Sequence, residues 1–237
     1  MRNERGLVYL TAEEMAEADR AAIEEFGMDI LALMENAGFA TAQLARKMLG
    51  DDVNGRQVCC LVGKGNNGGD GLVAARRLHG WGCGVTVVLG GERSDLRDVP
   101  ARQLAAVERN GIPVVGSDGD LGGAELLVDG LLGYGSKGNP REPVSGLIRR
   151  ANSSGIPVLA VDIPSGLDAT TGQPNDPCIA AKATVTFGLP KTGFLDPRAR
   201  GKVGELYLAD ISLPKPVYSR YAQSPGIFGK DILVRVW

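Results

Sequence analysis

Histidine is almost absent from this chain of 237 residues: there is one, His79. It falls near the end of a helix-like stretch with no evident partner, which suits a surface or helix-terminal role better than catalysis. Cysteine is scarce as well. Cys59, Cys60, Cys83 and Cys178 show no metal-ligand or redox spacing, so they read as buried free thiols in a reducing compartment, most simply the cytoplasm. Cys59 and Cys60 are neighbours in an expected strand and should point to opposite faces. No run approaches the about 18 apolar residues of a membrane span, and MRNERGLVYL lacks the apolar segment of a signal peptide. Lys and Arg number 26 against 28 Asp and Glu, with no dense basic block. No large nucleic-acid footprint is expected from that balance.

What the chain does have is periodicity, punctuated by glycine. Residues 11–49 predict two helices. Thr11 and Glu14 form a capping box; Ile30, Leu33, Met34, Ala37, Leu44 and Met48 recur at helical spacing, and Gly50 is a natural stop. Apolar runs at 57–62, 84–89, 112–115, 125–128, 157–161, 183–187 and 204–209 read as strands, with helix-like stretches near 70–80, 98–109 and 142–154. Alternation of buried runs with helices predicts an α/β fold, a mostly parallel sheet with helices on both faces. The last two strands follow each other with no helix between them. One domain is the economical division: a helical extension over 1–50, a sheet core over 51–212, and a tail over 213–237 without a firm pattern.

Four loops at expected strand ends stand out: GKGNNGGDG (63–71), DGLLGYGSKGN (129–139), VDIPSGLDATTG (161–172) and TFGLPKTG (186–193). Chemistry on open parallel sheets collects at such ends. Gly63, Gly65 and Gly68 make a formal dinucleotide fingerprint, for which Glu92 would be the ribose-binding acid. Gly133, Gly135 and Gly138 repeat the formula, which sits badly with an ordinary dehydrogenase. Each polar residue has a plain reading. Asp129, Asp162 and Asp168 can be turn-formers or caps, and Ser165 a cap. Lys191 can be a solvated amine, Asn66 and Asn67 can hold left-handed turns, and Tyr134 can be packing or a stacking platform. Their gathering at one sheet edge points to a site.

These loops, with LMENAG at 33–38, closely resemble the YjeF N-terminal domain family, whose characterised members are NAD(P)H-hydrate epimerases. The likeness runs from about Leu10 to Ile211. It implies a three-layer Rossmann-like core, a homodimer, and action on NADHX or NADPHX, the nicotinamide nucleotides hydrated at C6. The R and S forms are interconverted, and a separate NAD(P)H-hydrate dehydratase consumes the S form. By the resemblance, Asn66, Asn67, Gly68, Gly69 and Asp70 contact substrate, as do Asp162 and the loop Gly133, Tyr134, Gly135, Ser136, Lys137, Gly138 and Asn139. Asn67, Asp129 and Ser165 fall on ligands of a potassium ion, for which oxygen donors are the right chemistry. Asp162, with Lys191 beside it, is the acid–base candidate. Two competing expectations are an NAD(P)-dependent dehydrogenase and a non-catalytic scaffold of the kind found in RNA metabolism. Retention of Asn67, Asp129, Asp162, Ser165 and Lys191 favours the enzyme.

Overall fold

The computed structural model describes residues 6–96 and 98–237; residues 1–5, the start of the expected helical extension, lie outside the described residues. Eight strands form one sheet: β1 (Gln57–Val62), β2 (Gly84–Leu89), β3 (Val114–Val115), β4 (Leu126–Gly130), β5 (Val158–Val161), β6 (Ala183–Phe187), β7 (Glu205–Ala209) and β8 (Leu233–Arg235). Their order is β3-β2-β1-β4-β5-β6-β7-β8, and every pairing is parallel except that of β7 with β8. The helices are α1 (Ala12–Glu24), α2 (Ile30–Met48), α3 (Asn66–Gly80), α4 (Asp98–Arg109), α5 (Val144–Ser153), α6 (Pro197–Val203) and α7 (Lys215–Arg220).

The central strands are largely apolar because both faces are covered. One face packs α2, α3 and α4 through residues such as Leu44, Leu72 and Val107; the other packs α5 through Leu147, Ile148 and Ala151. Cys60 belongs to the first core and Cys59 to the second, as strand alternation requires. All four cysteines are free and buried, and burial pushes the Cys59 and Cys178 thiols up to about 12. At the start of α1 the capping box forms: Thr11 Oγ1 accepts from the Glu14 N–H at 3.1 Å, and the Glu14 carboxylate accepts from the Thr11 N–H at 2.8 Å.

Three local expectations are corrected. The segment NNGGDG is the first turn of α3 rather than a loop, since the backbone turns helical directly after Gly65. A helix, α6, does lie between β6 and β7. Parallel neighbours need a crossover, and Asp196 caps this one by accepting from the Arg198 N–H at 2.8 Å. The tail, without pattern in sequence, is structured by long-range contacts. The Gln223 side chain accepts from the Val8 N–H at 2.8 Å, Tyr221 donates to the Glu14 carbonyl at 3.1 Å, and β8 pairs with β7.

Glycine is obligatory where β1 turns into α3. A Cβ on Gly68 would lie 1.9 Å from the Gly63 carbonyl oxygen, a backbone atom that no rotamer change can move. Gly68→Ala is therefore expected to destabilise the chain by about 1–3 kcal/mol through overpacking. Urea unfolding measures this; an unchanged midpoint would contradict the tight β1–α3 turn.

Candidate functional site

Strand order reverses between β1 and β4, and the crevice beyond their carboxyl ends is where an open α/β sheet holds ligands. A cavity of about 460 Å³ opens there. Its sheet-side wall carries Asn66, Asn67 and Asp70 from α3, Gly133, Tyr134, Gly135 and Ser136 after β4, Asp162 after β5, and Lys191 after β6. Met15 and Ile23 of α1 and Ile30, Leu33 and Met34 of α2 form an apolar wall facing them. Gly65 caps α3 without any side-chain bond, so the N–H groups of its first turn remain donors at the positive end of the helix, open to an anion.

Deepest in the polar wall is an ion pair. Lys191 is fully buried, and its Nζ binds Asp162 Oδ1 and donates to Thr186 Oγ1 at 2.8 Å. Asp162 Oδ1 also accepts from Thr186 Oγ1 at 3.2 Å and from the Phe187 N–H at 3.3 Å. Asp162 adopts φ of +64°, a left-handed conformation that a short polar side chain tolerates and that turns its carboxylate off the end of β5. The loop bearing Lys191 is tied to the N-terminal segment: the Leu10 N–H donates to Pro190 O at 2.9 Å, and the Thr192 N–H to Leu10 O at 2.8 Å.

Behind the Leu131–Leu132 backbone lies a second polar cluster. Asp129, wholly buried in β4, accepts from the Leu131 N–H at 3.2 Å, the Ser165 N–H at 2.8 Å and the Ser165 hydroxyl at 2.6 Å. Among the described residues no basic side chain pairs with it. Burial pushes its carboxyl up to about 6 against those three bonds. Asn67 joins the cluster by donating through Nδ2 to Leu132 O at 3.0 Å, which leaves its Oδ1 without a protein donor among the described residues. The Leu132 N–H in turn donates to Ser165 Oγ at 2.8 Å.

Two more carboxylates face the cavity. Asp19 of α1 accepts from the Tyr134 hydroxyl at 2.7 Å, and burial raises its carboxyl despite that bond. Asp70 is driven well above the usual range by burial first, then by Asp162 and Asp19.

Not every expected residue lines the cavity. Gly68 and Gly69 sit one layer behind it: the first packs on Gly63, and a Cβ on the second would meet the Met34 side chain. Lys137 extends to Glu13 on α1 at 3.5 Å, and Asn139 accepts from the Asp176 N–H at 3.1 Å. Gly138 supplies a positive φ of 72° to the turn between them. Asp168 is a turn-former, accepting from the Thr170 and Thr171 N–H groups at 3.0 and 2.7 Å. Glu92 lies in a separate depression with Arg93, Ser94 and Asp118, so it does not serve the main cavity as a ribose acid. Sequence reasoning missed Lys64, Asp19 and the apolar wall, all of which line the cavity. Asp19 had a signal: it stands four residues from both Met15 and Ile23, a carboxylate on the apolar stripe of an amphipathic helix.

Residues 30–193 match the family described as YjeF-related protein N-terminus. The chain belongs to this family. Among YjeF-related proteins, the NAD(P)H-hydrate epimerase of Dehalogenimonas lykanthroporepellens is 38% identical over 91% of this chain and 86% of its own length. The NAD(P)H-hydrate epimerase of Weissella koreensis is 34% identical over 87% of this chain and 92% of its own. The bifunctional NAD(P)H-hydrate repair enzyme Nnr of Moorella thermoacetica is 35% identical over 98% of this chain, which spans only 44% of that protein. In three dimensions the YjeF-related fold is shared with the yeast protein ynu0, YNL200c, at a TM-score of 0.84 and 25% identity, over 97% of this chain and 100% of that one.

Proposed function

We propose that this chain is an NAD(P)H-hydrate epimerase, interconverting the R and S forms of hydrated NADH and NADPH. The observation that carries the reading is the buried Asp162–Lys191 pair, set in the wall of a cavity large enough for the nicotinamide half of a nucleotide. Epimerisation at a carbon bearing both a hydroxyl and the ring nitrogen needs a proton donor that becomes an acceptor on the return, and needs no redox partner. Asp162 supplies that function, with Lys191 and Thr186 fixing its carboxylate. The free N–H groups of α3 and the Lys64 ammonium attract the phosphates of the nucleotide. The apolar wall from α1 and α2 excludes bulk water from the ring.

Potassium belongs to this proposal. Asn67, Asp129 and Ser165 offer a carboxamide, a carboxylate and a hydroxyl, an all-oxygen set suited to a hard cation. The buried Asp129 carboxylate, without a basic partner among the described residues, fits the group, because a bound cation would offset its charge. The ion would supply positive charge beside Asp129 and would tie the start of α3 and the end of β4 to the loop carrying Ser165. Ionised Asp129 is disfavoured in the fold, so its contribution to stability is present at low pH and is lost as pH rises through about 6. A cation held by Asp129 would offset that loss. Against equal choline chloride, potassium chloride should raise the melting temperature at about pH 7.5 and have little effect at about pH 5, where Asp129 is protonated. An equal shift at both pH values would remove Asp129 from the ligand set.

A homodimer, a cytoplasmic setting and cooperation with an NAD(P)H-hydrate dehydratase complete the reading; the bifunctional relatives support the last. Among the described residues no helix is long and apolar enough to cross a membrane. The test is a rate assay from pure R-NADPH hydrate, with uncatalysed epimerisation subtracted. Formation of the S form well above background is expected. A rate equal to background overturns the assignment.

A further inference from the structure

Inversion through a planar intermediate requires hydroxyl to leave one side of the ring and water to enter from the other. Resting on the epimerase reading, we propose that Asp19 is the second proton-handling group of the cavity, serving the ring face turned toward the helical wall while Asp162 serves the face turned toward the strand ends.

Three observations carry this assignment. Met15, Asp19 and Ile23 line the cavity from one stripe of α1, so Asp19 is the acidic member of an otherwise apolar surface. The Tyr134 hydroxyl occupies Asp19 Oδ2 at 2.7 Å and leaves Oδ1 without a protein donor among the described residues. Finally, Lys191 Nζ lies 5.8 Å from the centre of the Tyr134 ring while binding Asp162. A phenol and an ammonium thus separate two carboxylates that come from different layers of the fold.

Each carboxylate has its own donor: Tyr134 for Asp19, Lys191 for Asp162. The groups facing Asp19 in the cavity are Tyr134, Lys191, Asp162 and Asp70. Away from the cavity, Arg220 at the end of α7 pairs with Glu25, and Tyr221 just after it donates to the Glu14 carbonyl oxygen. Burial raises the Asp19 carboxyl above the ordinary carboxylate value, against the lowering effect of the Tyr134 hydrogen bond and of Lys191.

The step balances as follows. In one direction Asp19 donates its proton to the C6 hydroxyl, the C6–O bond breaks with both electrons leaving on the departing water, and the ring nitrogen lone pair forms a C=N bond. A water on the other side then adds to C6, the C=N pair returns to nitrogen, and the Asp162 carboxylate takes the released proton. The reverse reaction exchanges the two roles. One water leaves and one enters, with no change of oxidation state.

The test uses the full chain and NADPH hydrate in heavy-oxygen water, with background exchange subtracted. Wild type should both invert C6 and incorporate label. Asp19→Asn should lose inversion by about 100-fold, yet one epimer should still exchange its hydroxyl with retention at a rate near wild type, through Asp162. If wild type inverts without label, or if inversion in the variant is unchanged or falls in step with exchange, the inference is overturned. Tyr134→Phe gives a second readout. Removing that hydrogen bond raises the Asp19 carboxyl, so the high-pH limb of inversion should move upward, whereas a purely structural role would depress the rate equally at all pH values. Should Asp19→Asn fail to fold, an unmoved limb in Tyr134→Phe overturns the inference on its own. A wild-type rate at background instead counts against the epimerase reading, and so the two failures are distinct.

Discussion

Asp162→Asn should slow epimerisation by about two orders of magnitude while leaving the chain folded. Asparagine is the right substitute because it keeps the volume and tolerates φ of +64°, which a β-branched or bulky residue would not. Its carboxamide still accepts from Thr186 and Lys191, but the buried Lys191 loses its counter-charge, so the variant should melt below wild type while staying folded at assay temperature. What disappears is the carboxylate that exchanges the proton in the proposed reaction. Initial rates from the R epimer, corrected for background, measure the effect; turnover within a few-fold of wild type would place the acid–base group elsewhere.

The second large effect is structural. Among the described residues, Lys191→Met removes the one ammonium bound to Asp162 and leaves a carboxylate buried at 5% exposure without that counter-charge. Breaking one side of such a pair costs about 3–5 kcal/mol, a fall in melting temperature of roughly 10 °C for a chain of this size. Replacing both partners leaves no orphaned charge, so Lys191→Met with Asp162→Asn should recover most of that loss. A single variant that melts with wild type would show that Asp162 is compensated from another direction. Thermal unfolding of the two variants side by side settles it.

The legible part of this fold was the part written in local periodicity. Strands β1 and β5 are almost continuous apolar runs because they are buried on both faces, and β2 and β6 are short β-branched runs; those patterns need no tertiary information. The capping box at Thr11 and Glu14 was equally local. The α3 start at Asn66 was not legible: four polar residues and glycines read as loop, and only close packing of Gly68 on Gly63 and of Gly69 on Met34 holds them helical. The tail was illegible for a related reason. Gln223 and Tyr221 find their partners more than 200 positions away, at Val8 and Glu14. At the site, the quoted loops located the sheet-side wall and drew Asp162 beside Lys191. They could not show Asp19, whose importance comes from α1 folding across the strand ends onto the Tyr134 hydroxyl.

The sheet closes at both borders with remnants: β3 offers two residues and β8 three. Rows of free backbone groups this brief are poor templates for a neighbouring strand. Two copies of this chain are therefore poorly placed to extend one sheet into the other, and association is expected through side chains on the helices and loops. A dimer built in that way can be dissolved by point substitution without touching the hydrogen-bonded framework that holds the loops around the cavity.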